Sequence, residues 1–190
     1  MSPVLIRPRR FADSRGCFSE TWNRARLEAV GIAIDFCQDN HSLSQPKGTL
    51  RGLHFQAPPL AQTKLVRCLR GRIFDVAVDI RRSSPTFGQW AGVELTAENG
   101  KQFLIPAGYA HGFVTLEPDC EIAYKVDAHY SAECDGGVAW DDPAIGIDWQ
   151  FDGAIPVLSE KDQALPQLNA LLIDFPYDGN PLGPLQEVSV

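Results

Sequence analysis

The feature that most constrains the fold is the texture of the chain from Thr49 to Lys125. Short runs rich in β-branched and aromatic residues alternate there with Gly, Pro and Asn. The clearest runs are 64–69 (KLVRCL), 72–80 (RIFDVAVDI) and 89–95 (QWAGVEL). In the second, Val76, Val78 and Ile80 fall on one face, and Asp75, Ala77 and Asp79 on the other. Turn signals separate the runs: Arg70-Gly71, Ser83-Ser84-Pro85 and Glu98-Asn99-Gly100. Closely spaced strands of this kind imply a sandwich or barrel rather than a βαβ fold. Helices are expected only from Thr21 to about Val30, with Gly31 as a stop, and near Lys161 to Leu172. The Pro/Gly-rich tail reads as surface-packed or loose.

Charge narrows the partners. With 17 Lys plus Arg against 24 Asp plus Glu, the 190-residue chain carries a formal charge of −7. That argues against coating a nucleic acid or binding a membrane through a polybasic face. A small anionic ligand, which needs only a few local cations, stays open. The N-terminus lacks an apolar signal core, and no apolar run reaches spanning length. Cys17, Cys37, Cys68, Cys120 and Cys134 are odd in number, scattered and free of CxxC spacing. Free thiols in a reducing cytoplasm are expected. Length favours one domain over residues 1–190, with a barrel core over about 45–150 and the terminal segments packed on it.

The chemistry is best sought at the histidines, of which there are four. His54 lies in Arg51-Gly52-Leu53-His54-Phe55-Gln56. His111 closes Pro106-Ala107-Gly108-Tyr109-Ala110-His111, a segment that resembles the Pro-x-Gly-x-x-His turn of cupin barrels. In that turn the glycine permits the bend and the histidine points into the barrel mouth. Metal-binding cupins place His-x-His where this chain has His54 and Gln56, and Lys64 stands where a carboxylate would serve a metal. That set is a poor divalent site, so no metal is expected and an oxygenase reading ranks low. Neither a GxGxxG nor a GxxxxGK[ST] motif occurs, so no nucleotide cofactor is expected. Read alone, Tyr124 is a lip tyrosine, Asp141-Asp142-Pro143 a turn, and Lys161-Asp162 a solvated first helical turn.

Read together, many segments carry a family resemblance. They include Phe11 to Glu20 (F-x-D-x-R-G-x-F-x-E), Gln38-Asp39-Asn40-His41-Ser42, Leu50 to Gln56 and Gln62 to Val66. Gly71 to Trp90, Ile105 to Leu116 and Tyr124 to Trp149 continue the series. In order and spacing they resemble the dTDP-4-dehydrorhamnose 3,5-epimerase family. The resemblance implies a mainly β, cupin-like antiparallel jelly-roll barrel with a few short helices, a homodimer, and a metal-free site inside the barrel. It implies His54 as catalytic base, Asp162 as the carboxylate that orients it, and Tyr124 as the acid on the opposite side. Lys64 is implied beside the enolate oxygen. Arg51, with Arg15 from the neighbouring subunit, is implied as the diphosphate contact. Glu20, Gln38, Asn40 and His111 are implied as substrate-lining residues and Tyr130 as a stack for the base. Asp135 and Lys161 complete the substrate-binding set. Position 135 is Asp where the family commonly has Glu, and Gly136-Gly137 replaces a more usual Arg-Gly.

The implied reaction has a simple physical basis. A ketone at C4 of a dTDP-4-keto-6-deoxyhexose acidifies the protons at C3 and C5. A base on one face and an acid on the other then invert each centre without redox change. Relatives that invert only one centre keep the same His and Tyr, which makes a mono-epimerase the alternative. A non-catalytic sugar-nucleotide-binding cupin is the lower alternative.

Overall fold

The computed structural model describes residues 1–151, 153 and 155–190. In chain order the elements are β1 (Val4–Arg7), β2 (Arg10–Asp13), β3 (Gly16–Ser19), α1 (Arg24–Ala29), β4 (Gln38–Ser44), β5 (Leu50–Gln56) and β6 (Lys64–Arg70). They continue with β7 (Arg72–Asp79), β8 (Trp90–Thr96), β9 (Gln102–Ile105), β10 (Tyr109–Thr115), β11 (Cys120–Val126) and β12 (Asp135–Gly137). A one-turn helix α2 (Glu160–Gln163), a 3₁₀ turn (Leu168–Ala170) and β13 (Gln186–Ser189) complete the chain.

Two sheets face one another. One has the order β13-β1-β9-β6-β11-β4 and the other β12-β5-β10-β7-β8, while β2 and β3 form a separate hairpin. Among the described residues the strands pair antiparallel except β1 with β13, and an isolated parallel bridge joins Thr49 to Val157. This is the antiparallel cupin jelly roll that the sequence implied.

The alternation along β7 explains how the layers assemble. Ile73 and Ala77 point between the sheets, where they meet Val66, Phe103, Ile105, Phe113 and Ile122. Phe74, Val76, Val78 and Ile80 point the other way and are also buried, under Trp149, Leu168, Leu171 and Phe175. Both faces of β7 are therefore covered, the outer one by the C-terminal third of the chain. Burying that second apolar face contributes about 25 cal/mol per Å² and holds the later segments on the barrel.

Two helical expectations are corrected. The first helix begins only at Arg24, because the Asn23 side chain accepts from the Arg26 N–H and caps it there. The second, expected over Lys161 to Leu172, is reduced to one turn and a separate 3₁₀ turn. Pro166 explains this: it lacks an N–H and disfavours helical geometry at Leu165. The tail is likewise less loose than its composition suggests. Phe175 is buried, and β13 adds to the sheet beside β1.

One close approach positions the chemistry. Gly52 has φ +136°, and a Cβ there would lie 2.5 Å from Gly112 Cα. This contact, with a register shift between His111 and Phe113, sets His54 directly opposite His111 across β5 and β10. Gly52→Ala is expected to lower stability by about 3 kcal/mol, because backbone rather than a flexible side chain must move. Denaturant unfolding checks this; a loss under about 1 kcal/mol would show that the two strands can separate easily.

Candidate active site

Inward-facing side chains of both sheets converge on a cavity of about 220 Å³. His54 (β5) and His111 (β10) come from the five-stranded sheet, Lys64 (β6) and Tyr124 (β11) from the six-stranded sheet. Ser159, Lys161 and Asp162 close one side from α2 and its cap.

His54 Nε2 lies 2.5 Å from Asp162 Oδ1. The carboxylate is only 4% exposed, and its backbone N–H donates to the capping Ser159 hydroxyl. Burial works to raise the Asp162 carboxyl. The hydrogen bond and charge of His54, the Ser159 hydroxyl and nearby Lys161 outweigh it and hold the group below its ordinary value. An ionised Asp162 can therefore fix the imidazole tautomer and stabilise an imidazolium.

The second histidine has its own carboxylate. His111 Nε2 lies 2.5 Å from Asp75 Oδ1. Burial lowers the His111 pKa despite the attraction of Asp75, so this ring is neutral at pH 7. Asp75 Oδ2 is buried without a hydrogen-bond partner among the described residues. Lys64 is buried too, with Nζ 3.4 Å from the His54 carbonyl oxygen. Burial brings its pKa down to about 8, against the pull of Asp75 and Asp135. Burial raises the Tyr124 hydroxyl, so it keeps its proton at neutral pH.

The other expected residues distribute themselves around this centre. Gln38 and Asn40 face inward on β4, where Gln38 Nε2 donates to Asn40 Oδ1 at 2.9 Å. Asn40 stands opposite Tyr124 in register. The backbone N–H of Tyr130 donates to Gln38 Oε1, and its ring is 62% exposed at the rim. Its hydroxyl donates to Asp135 Oδ2, which Lys161 Nζ also approaches at 2.5 Å. Arg51 lines the cavity and is steadied by Ser44 Oγ at 3.0 Å. Gln38, Asn40, Tyr130 and Asp135 thus lie beside the cavity without lining it, and two further expected residues lie away from it within this chain. Arg15 is 88% exposed at the β2–β3 turn and folds onto Asp13, and Glu20 is held by Arg26.

Sequence reasoning missed Asp75, Ser42, Phe113 and Ser159 as parts of this site. A signal existed for Asp75: it is an acid between Ile73 and Ala77 on the inward face of β7. Ser159 stands three residues before Asp162 as a helix cap. A larger groove of about 380 Å³ lies outside the barrel, over the outward residues of β4, β6 and β11. Lys125 pairs there with Asp39 and His41 with Glu121, which leaves Arg67 as the groove's cation without an ion-pair partner among the described residues. The groove lacks the buried acid–base pairs of the inner cavity. Among the described residues, no group of three or more His, Cys, Asp or Glu is arranged to hold a metal. Among the described residues, no helix is long and apolar enough to cross a membrane either.

A jelly roll whose interior holds a carboxylate-paired imidazole and a protonated phenol in one cavity carries the acid and base that an isomerase working by proton transfer needs. Comparisons with known proteins agree. The sequence model described as dTDP-4-dehydrorhamnose 3,5-epimerase matches residues 2–170. A relative of that name from Sinorhizobium fredii is 56% identical over 177 residues, covering 91% of this chain and 88% of its own. The crystal structure of such an epimerase from Bacillus anthracis, with TDP and PPi bound, superposes with a TM-score of 0.84 at 50% identity, covering 87% and 93% of the two chains. A Legionella pneumophila 3,5-epimerase in complex with dTDP-4-keto-L-rhamnose gives 0.86 at 46% identity, covering 91% and 93%. The chain belongs to the dTDP-4-dehydrorhamnose 3,5-epimerase family.

Proposed function

We propose that the protein inverts C3 and C5 of dTDP-4-dehydro-6-deoxyglucose, giving dTDP-4-dehydrorhamnose. The observation that carries the reading is the His54–Asp162 pair, set in one cavity with Lys64 and Tyr124. His54 Nε2 is committed to Asp162, so Nδ1 is the nitrogen that takes the proton from carbon. The electron pair of the broken C–H bond moves onto the C4 oxygen as an enolate. The Lys64 ammonium stabilises that oxyanion in a site shielded from water. The enolate collapses to the ketone as Tyr124 returns a proton to the opposite face, and solvent restores both residues. Each inversion exchanges one proton and leaves the oxidation state unchanged.

Arg51 suits the diphosphate because a planar guanidinium pairs with phosphate oxygens in a fork. Arg15 takes the same task on a neighbouring subunit. The exposed β2–β3 hairpin, with Phe18 66% exposed, supports an arm that reaches a second copy in a homodimer. Tyr130 stacks on the base. Five free cysteines favour a cytoplasmic setting.

The test is solvent exchange. In D₂O, purified protein is expected to place deuterium at both C3 and C5 of dTDP-4-dehydro-6-deoxyglucose, read by NMR. Exchange at one carbon only would make it a single-centre epimerase, and exchange at neither would overturn the reading.

A further inference from the structure

Lys161 and Asp135 are expected from sequence as substrate contacts, yet they are engaged with each other. Lys161 Nζ lies 2.5 Å from Asp135 Oδ2. The pair joins α2 to β12, and the residue after Lys161 is Asp162, which holds His54. We infer that the Lys161–Asp135 ion pair is a positioning device that holds α2 against β12 and so keeps Asp162 in line with His54. The inference rests on the proton-transfer reading of His54.

Three observations support it. First, α2 is a single turn of four residues, and an isolated turn has no stability of its own. Its placement must come from its tethers. Second, those tethers converge on the histidine strand. Gly137 of β12 stands opposite His54 on β5, and Asp135 stands opposite Gln56 two residues on. The ion pair thus ties α2 to the neighbour of the strand that carries the base. Third, the Lys161 side chain is 51% exposed. Exposed ion pairs add little to global stability, so the pair's contribution lies in local geometry. Tyr130 donates to the same Asp135 oxygen and sits at the rim.

Wild type, Lys161→Met, Asp135→Asn, the double variant, and the conservative Lys161→Arg and Asp135→Glu distinguish the possibilities. The free protein is read first, by the downfield imidazole N–H resonance of the His54–Asp162 hydrogen bond. The His111–Asp75 resonance serves as internal control. In Lys161→Met and Asp135→Asn the His54 resonance is expected to broaden or vanish while the control stays. The kcat for epimerisation is expected to fall about tenfold in either variant, with KM within twofold and Tm unchanged. The double variant should be no worse than either single, because the two side chains act as one unit. Both conservative variants should restore the signal and the rate. An intact His54 resonance, additive losses, or a raised KM at unchanged kcat would overturn the inference, the last by making the residues substrate contacts. The resonance needs no substrate, so this test stands apart from failure of the proposed reaction itself.

Discussion

His54→Asn is expected to lower kcat by about 10³–10⁴-fold, the full contribution of a positioned base, while dTDP-sugar affinity changes by less than about threefold. Asn keeps a hydrogen-bonding group of similar size but cannot take a proton from carbon. The Asp162 carboxylate loses its imidazole partner, but the Asp162 backbone N–H still donates to Ser159 Oγ and keeps the cap of α2, so the fold should persist. Turnover assays with calorimetric binding of dTDP decide it. Unaltered turnover would remove His54 from the mechanism. Equal losses of turnover and binding would mean that the pocket had collapsed.

The second large effect concerns Lys64, where activity and stability should move in opposite directions. Lys64→Met keeps the length of the side chain and removes the charge. It is expected to cut kcat by about 10²–10³-fold through loss of the group facing the enolate oxygen. It is also expected to stabilise the fold. Burial draws the lysine pKa from 10.5 to about 8, which corresponds to about 3 kcal/mol against folding at neutral pH. The folded state binds the proton less tightly than the unfolded chain. The penalty is therefore complete below about pH 8 and fades as pH rises toward 10.5. Asp75, left without a neighbouring cation, takes back part of the gain, leaving about 1–2 kcal/mol. Denaturant unfolding at pH 7 and pH 10 checks both points: Lys64→Met should be more stable at pH 7, and its advantage should shrink at pH 10. Wild-type kcat/KM, which reports the free enzyme, should fall as pH rises through about 8, where the ammonium is lost.

Much of this protein was legible along the chain. Strand runs separated by Gly, Pro and Asn specify a β fold because side-chain alternation and turn chemistry are local properties. Gly108, at φ +92°, stands in the turn that leads to His111, as its motif implied. The family resemblance also implied His54, Lys64, Tyr124 and Asp162 together. From residue types alone, though, Asp162 read as a solvated helix start, and it is 4% exposed. Its partner His54 lies 108 positions away, and no local pattern encodes a contact at that separation. The same limit hid Asp75, whose role depends on His111 in the next strand. Pro166 broke the helix expected near Lys161 to Leu172, and the buried outer face of β7 decided between the surface-packed and loose readings of the tail in favour of packing.

The sequence by itself determined the strand pattern, the turns, the acidic surface with few local cations, and the residue types able to move protons. Only the tertiary structure decided which acid meets which base. It did so through the close approach of Gly52 to Gly112 and the docking of α2 on β12. The physical reason is that turn and strand preferences act over a few residues. A proton-transfer site instead depends on distances of about 3 Å between groups from different strands, and these are set by how the two sheets close on each other.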